Sequence, residues 1–213
     1  MARKGKGLFI TFEGTEGTGK TTQIKRLEAK LTARGETVVL SREPGGTPLG
    51  EKIRHLVKHA ECGRAMVPRT EVLLFAASRA QHVEELIKPS LRRGNVVISD
   101  RYFDSTTAYQ GVARAIGRAE VRAINRFAID GLLPHLTVWI DLKPEIGFQR
   151  IQSRKMEPPD RMEQEKMDFY RAVRDGYAEL AESEPGRFLV VDGAQSPEAV
   201  EEAIWNGVKK HLN

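Results

Sequence analysis

Residues 14–21 read GTEGTGKT and place three glycines, three threonines and a lysine around one acid in a short stretch. The stretch fits the pattern G-x-x-x-x-G-K-[ST], in which backbone N–H groups of a glycine-rich loop surround a phosphate chain and the lysine reaches its outer phosphates. Glycine-rich turns between a strand and a helix also occur without a ligand. They rarely place Lys20, Thr21 and Thr22 at a helix N-terminus, where the helix dipole already favours an anion. The loop is therefore predicted to bind phosphate groups.

A second polar segment, REPGGT at 42–47, precedes a helical stretch that contains Arg54. Pro-Gly-Gly is ordinarily a turn, and for the segment in isolation this account is as good as a functional one. Arg42 and Arg54 keep the functional alternative open, because guanidinium groups hold phosphate through paired hydrogen bonds.

A third segment, VVISD at 96–100, ends in Asp100 and is followed directly by Arg101. An acid at the tip of a buried strand beside a phosphate loop can hold Mg²⁺ or its water shell, and the guanidinium can grip a phosphate. An Asp-Arg ion pair that caps the next helix is the ordinary alternative. Beside GTEGTGKT, the metal and phosphate interpretation is favoured.

Phe75 and Arg79 lie four residues apart in a long predicted helical segment, 67–93. This spacing puts both on one helix face, where the ring could stack on a base and the guanidinium could hydrogen-bond the edge of that base. A core phenylalanine beside a solvated arginine also explains the spacing. From spacing alone, this second account is preferred.

Residues 149–161, QRIQSRKMEPPDR, carry Arg150 and Arg154 one helical turn apart and Arg161 beyond a Pro-Pro break. Such a charged stretch usually forms a solvated helix face. The alternative is a mobile flap whose arginines neutralise charge during phosphoryl transfer when the site closes.

The elements that must position these residues alternate along the chain. Strands are predicted at 8–12, 37–40, 95–99, 137–141 and 187–191, with helical sequence between them, including a first helix at 22–34. This alternation predicts an α/β protein with a parallel sheet covered by helices on both faces. Ligands should gather beyond the carboxyl ends of the strands.

The composition favours one domain over 1–213. The chain has 213 residues, 40% of them hydrophobic, enough for one sizeable core, and no Ser/Pro-rich linker divides it. The single cysteine fits a reducing compartment and is given no role. No apolar run approaches the about 20 residues of a membrane span, and no secretory signal is visible. A cytoplasmic protein without membrane association is expected.

The formal charge of +5 comes from 34 basic and 29 acidic residues that are interspersed along the chain. There is no long basic block or aromatic-interleaved stripe of the RNA-binding kind, so a small phosphorylated ligand is a better fit than nucleic acid. A GTP-hydrolysing switch protein would need an N-K-x-D element to specify guanine, and the sequence has none.

The segments GTEGTGKTT, REPGGTPLGEKIR, LLFAASRAQHV, DRYFDSTTAYQG and DRMEQE occur in this order. In this combination the chain resembles the bacterial thymidylate kinases, from about Leu8 to the last helix. The resemblance implies a three-layer α/β/α P-loop kinase fold with a five-stranded parallel sheet and a helical lid at about 149–162. It implies transfer of phosphate from ATP to dTMP, giving dTDP for dTTP synthesis, with Mg²⁺ present. It also implies a homodimer joined through helices.

The resemblance assigns the phosphate loop to ATP, with Lys20 on the phosphates and Thr21 on Mg²⁺. Asp100, proposed above from its place at a strand end, is the second expected metal position. The resemblance also implies that a loop at 192–195 closes over adenine. The residues implied for the ATP site are Gly14, Thr15, Glu16, Gly17, Thr18, Gly19, Lys20, Thr21, Thr22, Asp192, Ala194 and Gln195.

For dTMP, the resemblance places Glu16 near the sugar 3′-hydroxyl and phosphate, and Arg54 and Arg101 on the phosphate. Phe75 then stacks on thymine and Arg79 contacts its 4-oxo group, which reverses the preference from spacing alone. Tyr109 crowds the sugar 2′-carbon. Ser105, Thr106 and Gln110 line the same pocket.

Some members of the family carry an arginine inside the phosphate loop, where this sequence has Gly17. That departure matches the bacterial type, whose catalytic arginines come from the lid. The implied catalytic residues are Lys20, Arg101, Arg150, Arg154 and Arg161. Another P-loop nucleoside or nucleotide kinase, such as a guanylate, adenylate or broad deoxynucleoside kinase, stays the alternative.

Overall fold

The computed structural model describes residues 7–60, 65–153, 161 and 164–212, and these form a five-stranded parallel sheet between layers of helices. The strand order is β2-β3-β1-β4-β5. The strands are β1 (Leu8–Glu13), β2 (Val38–Arg42), β3 (Val96–Asp100), β4 (Leu136–Asp141) and β5 (Phe188–Asp192). The predicted parallel sheet is confirmed, with strand ends displaced by one or two residues.

The central strand β1 pairs with β3 on one side and β4 on the other. The strand order therefore reverses direction beside β1. In open parallel sheets a ligand crevice forms at such a switch point, outside the carboxyl ends of the strands. The phosphate loop leaves β1 at this point.

Helices cover both faces of the sheet. They are α1 (Lys20–Ala33), α2 (Pro48–Lys58), α3 (Pro68–His82), α4 (Lys88–Arg92), α5 (Phe103–Thr106), α6 (Arg118–Ile129), α7 (Pro144–Gln152), α8 (Met167–Ser183) and α9 (Pro197–Val208). Two segments, Val83–Ile87 and Thr107–Ala113, have π-helical hydrogen bonding, and Lys209–His211 is a 3-10 turn. The predicted segment 67–93 is thus helical almost throughout, but it is built from α3, a π-helical turn and α4.

Side-chain alternation along β1 explains the three layers. Leu8, Ile10 and Phe12 are buried in a cluster that includes residues of α1 and α9, whereas Phe9 joins a different cluster on the opposite face. Successive side chains of a strand point to opposite faces, so one strand supplies both cores. Each fully buried Leu, Ile or Phe contributes about 1.5–3 kcal/mol relative to exposure.

Helix α1 begins two residues earlier than predicted, at Lys20. Gly19 ends the loop at φ 95°, a left-handed conformation that glycine adopts without steric cost. No side chain caps this N-terminus and no acid occupies its first turn. Two other helices differ, since the side chain of Thr47 caps α2 and that of Ser196 caps α9. The first N–H groups of α1 are therefore left for a ligand.

The predicted lid falls mostly outside the described residues. Arg154 and the Pro-Pro break lie there, as do residues 162 and 163. The described parts are α7, Ser153 and Arg161. Among the helices that the structure describes, none is both long and apolar enough to cross a membrane.

Helix α7 packs on the phosphate loop backbone to backbone through Gly17 and Gly147. A Cβ atom on Gly147 would overlap the carbonyl oxygen of Glu16, and a Cβ on Gly17 would overlap the backbone of Gly147. Neither obstacle is the end of a flexible side chain. The close approach therefore requires glycine at both positions and ties the start of the lid to the phosphate loop.

We predict that Gly147→Ala destabilises the protein by about 1–3 kcal/mol, the usual cost of overpacking. Helix propensity alone predicts the opposite sign, a gain of about 1 kcal/mol in the interior of α7. Urea denaturation of both proteins measures the difference. Gly186→Ala is the matched control, because a Cβ there meets nothing within 4 Å. If Gly147→Ala were as stable as the wild type, the close contact between α7 and the loop would not exist.

Candidate active site

A cavity of about 320 Å³ lies at the carboxyl ends of β1, β2 and β3. It brings together predicted site residues that are up to 94 positions apart in the sequence, from Glu16 of the phosphate loop to Gln110 after β3. The predicted site residues that line it are Glu16, Gly17, Thr18, Gly19, Lys20, Thr21, Thr22, Arg54, Phe75, Arg79, Asp100, Arg101, Ser105, Thr106, Tyr109 and Gln110.

The phosphate loop wraps around the ammonium group of Lys20. Gly14, Gly17 and Gly19 all have positive φ, at 138°, 73° and 95°, which lets the backbone curl without a steric penalty. Lys20 Nζ donates to the carbonyl oxygens of Gly14 at 3.1 Å and Thr15 at 2.8 Å. Burial lowers the pKa of Lys20 from its usual value, and the positive charge of Arg101 adds to this effect.

The loop has the donor set that a phosphate chain needs. The first residues of α1 line the cavity, their N–H groups have no side-chain cap, and Lys20 adds a positive charge beside them. The buried hydroxyl of Thr15 has no hydrogen-bond partner within the described protein. These features fit a bound polyphosphate.

Thr21 and Asp100 face the same cavity from α1 and the end of β3. No group of three or more His, Cys, Asp or Glu side chains within the described ranges could by itself hold a metal ion. Mg²⁺ normally takes one or two protein oxygens and completes its shell with water and substrate phosphates. A hydroxyl and a carboxylate at this place therefore fit Mg²⁺ that arrives with a nucleotide.

Arg101 follows β3 with φ 72°, a conformation that is uncommon outside glycine and that the surrounding structure has to hold in place. Its Nη2 donates to Glu16 Oε1 at 2.7 Å and to the Tyr109 hydroxyl at 3.1 Å. Arg101 therefore pairs with Glu16 of the phosphate loop, across the cavity. The sequence also allowed an ion pair of Asp100 with Arg101 that caps the next helix. Within the part of the chain that the structure describes, Arg101 pairs with Glu16 instead.

Glu16 is ionised over the whole physiological range. Burial by itself raises the pKa of a carboxyl group, but the positive charges of Arg101, Lys20 and Lys58 outweigh it and lower the pKa of Glu16 to about 2. At this part of the cavity wall, three cationic side chains therefore surround the ionised carboxylate of Glu16.

The segment 42–47 is both a turn and a part of the cavity wall. Arg42, Glu43 and Pro44 line the cavity. Arg54 of α2 lines it too, and its Nη1 donates to the Pro44 carbonyl at 2.9 Å. The two accounts that the sequence left open for this segment are therefore compatible.

At the other end of the cavity, Arg79 is buried to 2% exposure and its guanidinium is held by three partners. Nε donates to Glu43 Oε2 at 2.7 Å, Nη1 to Asn125 Oδ1 at 2.8 Å and Nη2 to Thr106 Oγ1 at 2.9 Å. The account preferred from spacing alone, a solvated arginine, is wrong. Arg79 can be buried because it forms an ion pair with the buried Glu43, and this contact is not visible in the sequence.

Phe75 is half-buried and lines the cavity one helical turn before Arg79. Tyr109 is 5% exposed, and its hydroxyl accepts from Arg101. Gln110 Nε2 donates to Glu71 Oε1 at 2.7 Å. An aromatic face, a fixed guanidinium and two further polar groups are therefore arranged around one end of the cavity, as recognition of a flat, polar-edged ring requires.

The two described lid arginines do not line the cavity. Arg150 Nη2 donates to the Gly193 carbonyl at 3.1 Å, and Arg161 Nε donates to the Val57 carbonyl at 2.9 Å while its guanidinium also pairs with Glu71. Their catalytic role stays a prediction, and Arg154 lies outside the described residues.

The loop at 192–195 follows β5, and hydrogen bonds to its first residue, Asp192, stabilise its turn. Asp192 Oδ1 accepts from Ala194 N at 2.9 Å, and the Asp192 carbonyl accepts from Gln195 N at 3.4 Å. Arg150 holds the same loop through Gly193. The loop therefore lies against α7, away from the cavity lining.

Sequence reasoning missed several residues that hold the site: Glu13, Glu43, Glu71, Asn125 and Tyr177. Glu13 did carry a signal, because an acid ends an otherwise apolar strand directly before the phosphate loop. Tyr177 carried none, since an aromatic residue at helical spacing is ordinarily core.

The sequence and the fold were compared with those of known proteins. Residues 12–204 match the family model described as thymidylate kinase. The thymidylate kinase of Geotalea uraniireducens is 48% identical over 210 residues, which cover 97% of this chain and 98% of that protein. The thymidylate kinase of Bacillus licheniformis is 44% identical over 206 residues, 97% of each chain.

Among solved structures, a thymidylate kinase from Ehrlichia chaffeensis superposes with a TM-score of 0.76 at 35% identity, covering 95% of this chain and 99% of that one. The likeness therefore extends over the sheet, the phosphate loop and the cavity, and not over one motif only. With a family match over most of its length and relatives close to half identical, the chain belongs to the thymidylate kinase family.

Proposed function

We propose that this protein phosphorylates dTMP to dTDP with ATP as the phosphate donor, as a step of dTTP synthesis. The observation that carries the proposal is that one cavity, of about 320 Å³, joins the phosphate loop, at Lys20 and Thr21, to Phe75 and Arg79. A donor phosphate on the loop and a monophosphate whose base reaches Phe75 would meet inside it. Membership of the thymidylate kinase family supports this substrate pair.

Direct in-line transfer needs little covalent chemistry from the protein. An oxygen of the dTMP phosphate attacks the γ-phosphorus of ATP, the bond from that phosphorus to the β,γ-bridging oxygen breaks, and ADP leaves. Catalysis consists of positioning and neutralisation of charge. A phosphate monoester is largely ionised at neutral pH, so no general base is needed. Lys20 neutralises the donor phosphates, while Arg54 and Arg101 hold the acceptor phosphate.

Thr21 and Asp100 are the proposed protein ligands of Mg²⁺, which when bound supplies positive charge at the β- and γ-phosphates. Their support is the placement of a hydroxyl and a carboxylate on one side of the cavity, beside the phosphate loop. Arg150, Arg154 and Arg161 are proposed to approach the phosphates from the lid, and the loop at 192–195 to contact adenine.

Thymine recognition is proposed to rest on Phe75 and Arg79. Glu43, Asn125 and Thr106 fix the Arg79 guanidinium, which has donors only and so selects a carbonyl acceptor. Tyr109, buried beside Arg101, is the group proposed to exclude a sugar 2′-hydroxyl.

We predict that the specificity constants follow the order dTMP, dUMP, dCMP. Loss of one methyl group costs about 10–200-fold, so dUMP should be slow but measurable. dCMP presents an amino group to Arg79, so two donors face each other and the penalty is larger. A coupled assay with ATP, Mg²⁺ and a panel that also contains dAMP, dGMP and UMP tests this. A faster reaction with dCMP than with dUMP rules out the assignment of Phe75 and Arg79, and preference for a purine would point to another nucleotide kinase.

A homodimer is proposed through helices α2, α3 and α6. Helix α3 packs against both α2 and α6. Each of the three exposes a large apolar side chain: Leu49 is 49%, Leu73 57% and Phe127 89% exposed. Exposed apolar groups on adjacent elements often mark an interaction surface. The cytoplasmic location expected from the sequence stays a prediction.

If these helices join two copies, Phe127→Glu should shift the protein toward monomer by placing a charge in the interface. Sedimentation velocity over a range of concentrations measures the shift. Val190→Glu is the control, because Val190 is 51% exposed on β5, at the far end of the sheet. Equal effects of the two substitutions, or a monomeric wild type, would contradict the proposed interface.

A further inference from the structure

Glu13, the last residue of β1, lies fully buried beneath Arg101. Its Oε1 accepts from the backbone N–H of Tyr102 at 2.8 Å. Its Oε2 accepts from Ser105 Oγ at 2.6 Å and from the Tyr177 hydroxyl at 2.8 Å. The carboxylate thus binds three donors from the segment after β3 and from α8. Among the described residues that line the cavity, Glu13 is absent.

The same two hydroxyls contact Arg101 on their other side. Arg101 Nη1 donates to Ser105 Oγ at 3.2 Å and to the Tyr177 hydroxyl at 3.3 Å. A guanidinium has donors only, so each hydroxyl can serve Arg101 only with a lone pair. The two hydroxyls also lie 2.8 Å from each other, so each could share its proton with the other. An ionised carboxylate accepts only and attracts both hydroxyl protons, which favours the arrangement in which the lone pairs face Arg101.

Arg101 is therefore held from two sides. Glu16 and Tyr109 accept from Nη2, and the two hydroxyls above Glu13 accept from Nη1. Glu16, Tyr109 and the half-buried Ser105 line the cavity, whereas Tyr177 is fully buried and is not among the lining residues. Glu13 and Tyr177 therefore form the core side of this network, which a ligand in the cavity does not reach. The core side is what can keep the guanidinium in place when a ligand arrives.

We propose that Glu13 is a positioning residue for Arg101, which it orients toward the acceptor phosphate through the hydroxyl groups of Ser105 and Tyr177. The proposal rests on the proposed function, in which Arg101 binds the phosphate of dTMP. Glu13 itself touches neither substrate.

The first test is Glu13→Gln, which keeps the size of the side chain and removes its charge. The KM for dTMP should rise at least about tenfold, the effect of losing one well-placed hydrogen bond to a charged group. The KM for ATP should stay within about twofold. A purely structural role would lower the folded fraction, and with it kcat, while the KM for dTMP stayed unchanged, and that result overturns the proposal.

Thr11→Val is the matched control. Thr11 is also fully buried, lies two residues earlier on β1 and bonds to Thr137 at 3.0 Å. It has a buried polar partner but no hydrogen bond to Glu13, Arg101 or the two hydroxyls, so its loss should leave the KM for dTMP unchanged. An equal rise of the KM in Thr11→Val would show that any buried polar change on β1 has this effect, which overturns the proposal.

The second test asks whether Glu13 acts through the two hydroxyls. Tyr177→Phe keeps the ring, stacked on Trp139 at 6.1 Å, and should raise the KM for dTMP by about threefold. In the double variant Ser105→Ala, Tyr177→Phe, adding Glu13→Gln should change this KM by less than about twofold, because the intermediaries are gone. Fully additive effects would contradict the proposed route. Tyr177→Phe remains informative if Glu13→Gln does not fold.

The pH profile supplies a third readout. Burial and the negative charge of Asp104 raise the pKa of Glu13 from 4.5 to about 7, against the lowering effects of Ser105, Arg101 and Tyr177. As the pH falls through about 7, Glu13 gains a proton and loses its charge, so it accepts more weakly from both hydroxyls, and kcat/KM for dTMP should fall. The charged and titratable groups that face Glu13 are Lys20 of α1, Arg101 after β3, Asp104 of α5, Tyr109 of the π-helical segment and Tyr177 of α8.

The second ionisation of the dTMP phosphate, near pH 6, also lowers kcat/KM on the acid side of the profile. In Glu13→Gln the decrease of kcat/KM near pH 6 should therefore remain, and the decrease near pH 7 should be lost. An acid limb identical to that of the wild type overturns the proposal. If the wild type prefers another monophosphate, the proposed function fails, but the same variants assayed with that acceptor still test the role of Glu13.

Discussion

Lys20→Ala is expected to lower kcat by about 10²–10³-fold, the usual effect of removing a group that stabilises developing charge in a closed site. Lys20 is the cation that the phosphate loop encloses, and its ammonium lies 2.8 Å from the Thr15 carbonyl and 3.1 Å from that of Gly14. These carbonyls can hold the ammonium only until a phosphate chain competes for it. The measurement is turnover at saturating ATP and dTMP.

Lys25→Ala is the control for Lys20→Ala, because Lys25 lies on the same helix α1 and is exposed. It should not change turnover. Circular dichroism of Lys20→Ala should show the wild-type fold, since the side chain bonds only to two loop carbonyls in the described structure. A variant that lacks Lys20 and still turns over within about threefold of the wild type would contradict the assignment of the phosphate loop.

Arg79→Met is expected to lower the free energy of unfolding by about 3–5 kcal/mol, the cost of leaving a buried ion-pair partner uncompensated. The side chains of Arg79 and Glu43 are 2% and 3% exposed, and Nε lies 2.7 Å from Oε2. Removal of the guanidinium leaves the Glu43 carboxylate with His82 as its remaining side-chain partner. It also removes the guanidinium N–H groups that donate to Asn125 Oδ1 and Thr106 Oγ1. Denaturation by urea measures the loss.

Arg126→Met is the control for this stability effect, because Arg126 is exposed on α6 and a change there should cost less than about 0.5 kcal/mol. The double variant Glu43→Gln, Arg79→Met should recover part of the stability, since it removes both charges together. It should not recover the preference for dTMP, because the donor to the base is still absent. A loss below about 1 kcal/mol in Arg79→Met would show that the pair does not stabilise the fold.

The activity of Arg79→Met therefore has to be measured where the variant is still folded. Under those conditions the ratio of specificity constants for dTMP and dCMP should fall toward one, because methionine has no donor to select a carbonyl. Stability and specificity are thus two separate readouts of one side chain. Their separation follows from the position of Arg79, which is buried in the core and lines the cavity at once.

The elements of this fold were accessible from sequence because their signals are local. Each strand is a short apolar run, and the order of strand, loop and helix around GTEGTGKT follows from side-chain spacing. Strand ends moved by one or two residues because the last pairings depend on the neighbouring strand. Asp100, for example, ends β3 opposite Phe12 of β1 and Arg42 of β2.

The environment of the charged groups was not accessible in the same way. Spacing alone could not decide whether Arg79 is solvated or buried, because its partners Glu43 and Asn125 come from segments 36 and 46 residues away. The acidic end of β1 was visible in the sequence, but its partner Tyr177 is 164 residues distant. Such contacts depend on how helices pack on the sheet.

By itself, the sequence determined the phosphate loop, the parallel α/β architecture and the residue types that meet at the strand ends, because these depend on local spacing and on the geometry of parallel sheets. Only the tertiary structure decided which charges are buried and how they are oriented. It pairs Arg79 with Glu43. It places Arg101 between Glu16 and the hydroxyls that contact Glu13. It leaves Arg150 and Arg161 outside the cavity lining. The physical reason is that burial and hydrogen-bond direction are properties of packed neighbours, and packed neighbours are set by long-range contacts.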